Sequence, residues 1–191
     1  MKRTASLVWL LSWLGPTVAS AERVSVDRIA AVVEFPDAQG EVRILLASTV
    51  EAIARMRIVE RRSADLLWAP LTGEFLDAVT DEVVNEILLY HEAERLGLDR
   101  VSAEGIEDER ARTASRFEEP ERFQALVDAY GLSDVELREI FTRRRVVREF
   151  LAANVVPGSS PGAAPDAEAV RANVARWVET LRSRARVRIL D

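Results

Sequence analysis

The chain has 191 residues, of which 48% are hydrophobic and 30% charged, with a formal net charge of -6 and one histidine. That length and balance suit about one domain of roughly 100 to 200 residues with a packed core, and exclude pervasive disorder; the acidic balance also excludes the basic footprint of a nucleic-acid binder. The lack of cysteine excludes disulfides, thiolate metal sites, a cysteine nucleophile and a lipid anchor built on a cysteine.

Lys2 and Arg3 precede the apolar run Leu7 to Leu14, Gly15 and Pro16 break it, and Ala19 and Ala21 supply the small residues of an A-x-A site. Residues 1–21 therefore read as a secretory signal peptide cut between Ala21 and Glu22. The run is shorter than the ~20 residues a spanning helix requires. Cleavage takes the net charge from -6 to -8, and the mature protein is expected free in the periplasm with no stable membrane insertion.

From Val24 to Phe35 the run "VSVDRIAAVVEF" is rich in Val and Ile, "PDAQG" supplies turn residues, and "EVRILLA" resumes an apolar pattern. This predicts a β-hairpin. Ser48 and Glu51 in "STVE" have capping-box spacing, so a first helix is expected from about Thr49 to Arg62. "SADLLWAP" interrupts it at Pro70. Between Gly73 and Leu96 the apolar positions Val79, Val83, Val84, Ile87 and Leu88 recur at helical steps, and Gly97 suits the C-terminal cap. Ser102 opens a helix to about Arg116 whose apolar face (Ala103, Ile106, Ala114, Phe117) is thin, which predicts peripheral packing. Pro120 begins a short helix carrying Phe123, Leu126, Val127 and Tyr130, stopped by Gly131. "SDVE" at Ser133 is a second capping box, opening a helix through about Ala153.

"PGSSPGAAPD", residues 157–166, reads as a flexible linker after the core at 22–156. Beyond it, in 167–191, Val170, Val174, Trp177, Val178 and Leu181 form a narrow helical stripe with nothing of its own to cover it, and "RVRIL" alternates Arg with Val187 and Ile189. A lone strand leaves its ladder unpaired. The expected fold class is therefore mainly α with a small β-sheet, formed by the N-terminal hairpin and the C-terminal strand of one domain.

No catalytic, cofactor or metal residues are assigned. His91 lies beside an apolar stripe and reads as a packed histidine, since one imidazole without cysteine partners does not build a usual zinc site. No G-x-S-x-G elbow exists. The acidic clusters Glu107 to Glu109 and Glu118 to Glu121 read as solvated helix surface, and the basic run Arg143 to Arg148 as a partner for the abundant carboxylates. Met56, Val59, Leu66, Leu67 and Trp68 straddle the break near Pro70 and fit neither a helix stripe nor a strand alternation. They are the candidate binding residues, although a loop that simply covers the core is the more ordinary account of them.

Four stretches carry a resemblance: "VDRIAAVVE", "DEVVNEILLYHEAERLGLDRVSAEGIEDE", "FQALVDAYGLSDVELREIFTRRRVVREFL" and "VARWVETLRSRARVRILD". Together they resemble the chaperone region of the SurA family of periplasmic folding factors. In that family parvulin-type prolyl isomerase domains usually sit where "PGSSPGAAPD" stands here, and their glycine-rich segment and paired histidines are missing from this sequence. Exchanging a long insert for a short one costs little closure entropy. The resemblance implies a SurA-like helical core that binds unfolded or nascent envelope proteins, outer-membrane proteins among them, with no isomerase activity, no cofactor and no nucleic acid. The alternative is a non-catalytic envelope adaptor or structural protein that holds one specific partner. Oligomeric state is not legible.

Overall fold

The alternation expected near the N-terminus forms β1 (Ile29–Phe35), in which Ala31, Val33 and Phe35 are buried and the residues between them half-buried. The structure is a computed structural model that describes residues 27–37, 40–61, 64–154 and 167–190. The expected signal peptide and linker lie outside these residues. Gly40, at φ +79, takes the left-handed conformation that the turn into β2 (Glu41–Leu46) requires. β1 pairs antiparallel with β2 on one edge, Val33 opposite Arg43. On the other it pairs with β3 (Arg186–Ile189), Val33 opposite Val187, giving the order β2-β1-β3. The sheet is thus built from the N-terminal hairpin and the C-terminal strand, as expected.

β2 runs straight into α1 (Ala47–Arg61), and the expected Ser48 and Glu51 capping box does not form. Ser48 already lies inside the first turn, and the carboxylate of Asp27 accepts from its N–H at 3.2 Å and from its hydroxyl. The cap comes from across the hairpin, which local spacing does not reveal. After a 3-10 turn at Ala64–Leu66 comes α2 (Gly73–Arg95), capped by the Thr72 hydroxyl, which accepts from Phe75 N–H. It closes as a Schellman motif around Gly97, with Leu98 N–H donating to Ala93 O at 2.8 Å and Gly97 N–H to Glu94 O at 2.9 Å.

α3 (Ala103–Ala114) starts at the Ser102 cap, and α4 (Pro120–Ala129) starts with its proline. α5 (Asp134–Asn154) opens with the predicted capping box, Glu136 N–H to Ser133 Oγ at 3.2 Å and Ser133 N–H to Glu136 Oε2 at 2.8 Å. α3 is less peripheral than its thin stripe implied. A 3-10 turn at Ser115–Phe117 drives Phe117 fully inside, edge-on to Phe123 at 5.3 Å. Among the described residues α6 (Ala167–Arg184) is the sixth helix, and none is long and apolar enough to cross a membrane.

Two apolar cores result. One lies under the sheet, with Val33, Phe35, Ile53, Val84, Leu88 and Phe150; the other gathers Met56, Leu67, Phe117, Phe123, Leu126 and Phe141. α1 serves both. An ion network links α1, α2 and α5: Arg144 Nη1 is 3.1 Å from Glu60, Arg57 is 2.6 Å from Glu86 and 3.1 Å from Glu60, and Arg143 is 3.6 Å from Glu86. Burial pushes the Arg144 guanidinium below its ordinary value, and the neighbouring Arg57 charge acts in the same direction. Glu86→Ala would leave two guanidiniums without this partner. Because these side chains are only partly buried and Arg57 keeps Glu60 and Glu82, the expected cost in a denaturant titration is about 1 to 3 kcal/mol, the range for leaving a polar group without its partner.

α6 docks on α2 and on the end of α5. Trp177 meets Phe150 edge-on at 5.4 Å, Leu181 is buried, and Arg182 reaches Asp81 at 2.7 Å and Asn85 at 2.9 Å. Val174 and Val178 are half-buried. Ile189 falls opposite Ala31 on the face of the buried Ala31 and Val33, as its alternation with Val187 implied, but at the end of β3 it is left 43% exposed. Fully burying a large apolar side chain contributes roughly 1.5 to 3 kcal/mol against a net domain stability of ~5 to 15 kcal/mol. Deletion of residues 167–191, which also bares one edge of β1, is therefore expected to abolish the cooperative thermal transition seen by circular dichroism. An unchanged melting temperature would refute the docking.

Candidate functional site

The structure divides the five residues singled out near Pro70. Met56, Val59 and Leu67 are core residues, whereas Leu66 is 40% and Trp68 54% exposed. Arg55 organises this turn: its Nη1 donates to Leu67 O at 2.7 Å and to Ala69 O, its Nε to the Tyr130 hydroxyl at 3.2 Å, and its guanidinium stands 5.7 Å over the Trp68 ring. Trp68 is thereby held as a rigid apolar knob with a cation behind it. Leu67, in contrast, belongs to stability, and its truncation would open a cavity rather than test a surface.

A second apolar surface was not singled out from sequence. Ala47 N–H donates to Arg28 O, and Leu190 N–H to Ala30 O, each at 2.8 Å. These bonds set the phase of the ladders, because backbone groups alternate between the two edges of a strand. Glu41, Arg43 and Leu45 direct theirs to β1, and Val42 and Ile44 direct theirs away from it. β2 is an edge strand, so those outward groups meet no further strand among the described residues.

Beside β2 lies a groove of ≈ 360 Å³ with a mixed lining: Ile44, Leu46, Tyr90 and Val135 and the buried Ile87 and Ile140 on the one hand, and Thr49, Glu136, Arg138, Glu139, Thr142 and Arg143 on the other. Val42 is 49%, Ile44 58% and Val135 70% exposed. Burial raises the Tyr90 hydroxyl above its ordinary value, and the Glu94 charge adds to it, so the phenol remains a neutral donor. The opposite edge differs: β3 is four residues long and carries Arg186 and Arg188, which is how sheet edges are commonly protected. A signal was present in "EVRILL", where Val42 and Ile44 alternate with Arg43, and in Val135, an apolar residue inside a capping box.

Several other residues have structural roles. His91 stacks on Phe35 at 3.7 Å with Nδ1 3.8 Å from Glu41. Arg143, Arg144, Arg145 and Arg148 meet Glu86, Glu60, Glu149 and Glu109 respectively. Glu109 is therefore buried rather than solvated, whereas Glu107, Asp108 and the cluster from Glu118 to Glu121 are exposed. Among the described residues no group of three or more His, Cys, Asp or Glu side chains could hold a metal ion.

A cavity of ≈ 650 Å³ lies between α6 and the end of α2, with Trp177 and Leu181 beside Arg95, Arg176 and Arg184. Glu92, also in its wall, is buried and receives two bonds of 2.7 Å from Arg95. The Arg95 hydrogen bond holds the Glu92 carboxyl below its ordinary value, against the opposing effect of burial. A carboxyl depressed by folding stabilises the native state above its unfolded value, ~4.3, and that stability is lost as pH falls through the folded value. Glu92→Gln is expected to remove part of the acid-induced fall in stability below pH ~4.3, measured as the denaturant midpoint against pH.

No family model matches the chain, and no curated protein matches it.

Proposed function

We propose that the protein is a holding factor of the bacterial periplasm, which binds extended segments of unfolded envelope proteins, outer-membrane proteins among them, without catalysis. The observation that carries this reading is the groove beside the β2 edge, an edge that meets no further strand among the described residues, where Ile44 and Val135 stand open to solvent. Monomeric soluble proteins rarely leave a contiguous apolar surface beside free backbone groups unless something binds there. The Trp68 knob adds a rigid aromatic of the kind enriched at binding hot spots. The signal-peptide pattern in residues 1–21 supports a periplasmic location, and the four stretches that resemble SurA support the chaperone class.

A holding factor has to release what it holds, so affinity near the micromolar range, about -8 kcal/mol, fits the role. Diluting a denatured outer-membrane protein into buffer with the mature protein is expected to suppress light scattering, while prolyl isomerisation of a test peptide keeps its uncatalysed ~10 to 100 s timescale. Val135→Asp places a charge in the groove at an exposed helix N-terminus, where an acid is tolerated. It is expected to weaken protection about fivefold while stability stays within about 0.5 kcal/mol. If wild-type protein protects none of several unfolded clients yet captures one folded partner tightly, the adaptor reading replaces this one.

A further inference from the structure

Packing accounts for only part of α6. Trp177, Leu181 and Arg182 dock it on α2 and on the end of α5. Arg176 and Arg184 are exposed, and their guanidiniums make no ion pair or hydrogen bond among the described residues. Both line the ≈ 650 Å³ cavity between α6 and the end of α2, with Asn173 and Thr180 of the same helix and Asn154 at the end of α5. Steps of three and four residues from Asn173 and Trp177 keep Arg176, Thr180, Leu181 and Arg184 on one helix face.

The charge balance of that cavity is opposite to that of the chain. Three guanidiniums line it, from Arg95, Arg176 and Arg184, against one carboxylate, Glu92, whereas the whole protein carries a net charge of -6. Glu92 is taken up by Arg95, which donates to both of its oxygens at 2.7 Å. Beyond that dominant hydrogen bond, the Glu92 carboxyl also feels the more distant charge of Arg184. Asp37 shares only a separate pocket of ≈ 20 Å³ with Arg184 and forms no ion pair with it. Two cations, Arg176 and Arg184, therefore remain for a ligand.

We propose that this cavity binds a small amphipathic anion, an oxyanion head of the carboxylate or phosphate kind joined to an apolar body. Arg176 and Arg184 meet the head, since a guanidinium fork pairs two oxygens at once and suits carboxylate and phosphate. Half-buried Trp177 offers its remaining indole surface to the body, with the buried Leu181 behind it. Asn154, Asn173 and Thr180 add neutral hydrogen-bonding groups. The volume falls within the ≈ 300 to 1,000 Å³ of ordinary small-ligand sites, where apolar walls supply area and a few polar groups fix orientation.

Trp177 is also the reporter. Without residues 1–21 the tryptophans are Trp68 and Trp177, so the mature Trp68→Phe protein reads the cavity alone. The probes are octanoate and octyl phosphate, which share a body and differ in head, with octanol lacking the charge and inorganic phosphate lacking the body. Octanoate or octyl phosphate is expected to shift Trp177 emission saturably, and octanol and inorganic phosphate to bind at least about tenfold more weakly. Arg176→Gln and Arg184→Gln are each expected to weaken binding about fivefold, with an unchanged melting temperature because neither guanidinium docks α6. Arg171→Gln, on exposed surface outside the cavity, removes the same charge and is expected to leave affinity within about twofold.

Tighter binding of one head than the other supports the site and tells whether its ligand is a carboxylic acid or a phosphate ester. Equal binding of octanol and octanoate would overturn the proposal, because the cavity would then be an apolar cleft without a use for its arginines. Equal losses in Arg171→Gln, Arg176→Gln and Arg184→Gln would do the same, since they report net charge alone. Absence of binding by both anions, in fluorescence and in calorimetry, would also overturn it. The client-holding reading would survive each of these results, as the groove beside β2 shares no residue with this cavity.

Discussion

β1 has to be paired on both edges, and its two partners come from opposite ends of the chain. Ala31 and Val33 are fully buried between Leu45 and Arg43 of β2 and Ile189 and Val187 of β3. An unpaired edge at β1 would place hydrogen-bonding groups beside the main core without partners, a cost that buried backbone rarely bears. The long-range ladder therefore fixes where α6 must lie, since α6 leads directly into β3. Once α6 is there, Trp177 covers Phe150 and Arg182 reaches Asp81.

The helices are held by two different means. Around Phe117, Phe123 and Phe141 the contact is apolar and aromatic. Between α1, α2 and α5 it is a partly buried set of arginines and glutamates, in which Arg57 is the hub. Desolvation makes such a network a weak source of net stability, but a mismatched pairing within it is costly. Its contribution is register: Arg144 and Arg143 fix the rotation of α5, and with it the face that presents Val135 and Ile140 to the groove.

The two sheet edges consequently have different fates. β3 is short and flanked by arginines, while β2 is longer and carries the exposed Val42 and Ile44. One edge is protected and the other is left usable.

Much of the architecture was legible in the residues. Helical steps at Val79, Val83, Val84 and Ile87, the Ser133 and Glu136 capping box, and the Gly97 and Gly131 stops are local signals, because the backbone groups they satisfy lie within a turn or two. The alternation in "RVRIL" called for a distant partner strand, and only the N-terminal hairpin offered one. What sequence could not determine involves groups far apart along the chain. Asp27 replaces Ser48 as the cap of α1 because the hairpin brings it there. Leu67 and Trp68 are neighbours in sequence, yet one is buried and the other exposed, since Arg55 pins the turn between them. The groove itself has walls from β2, α2 and α5, so it exists only after those elements have packed. Local chemistry decided which elements form; the tertiary structure decided which edge of the sheet stays open.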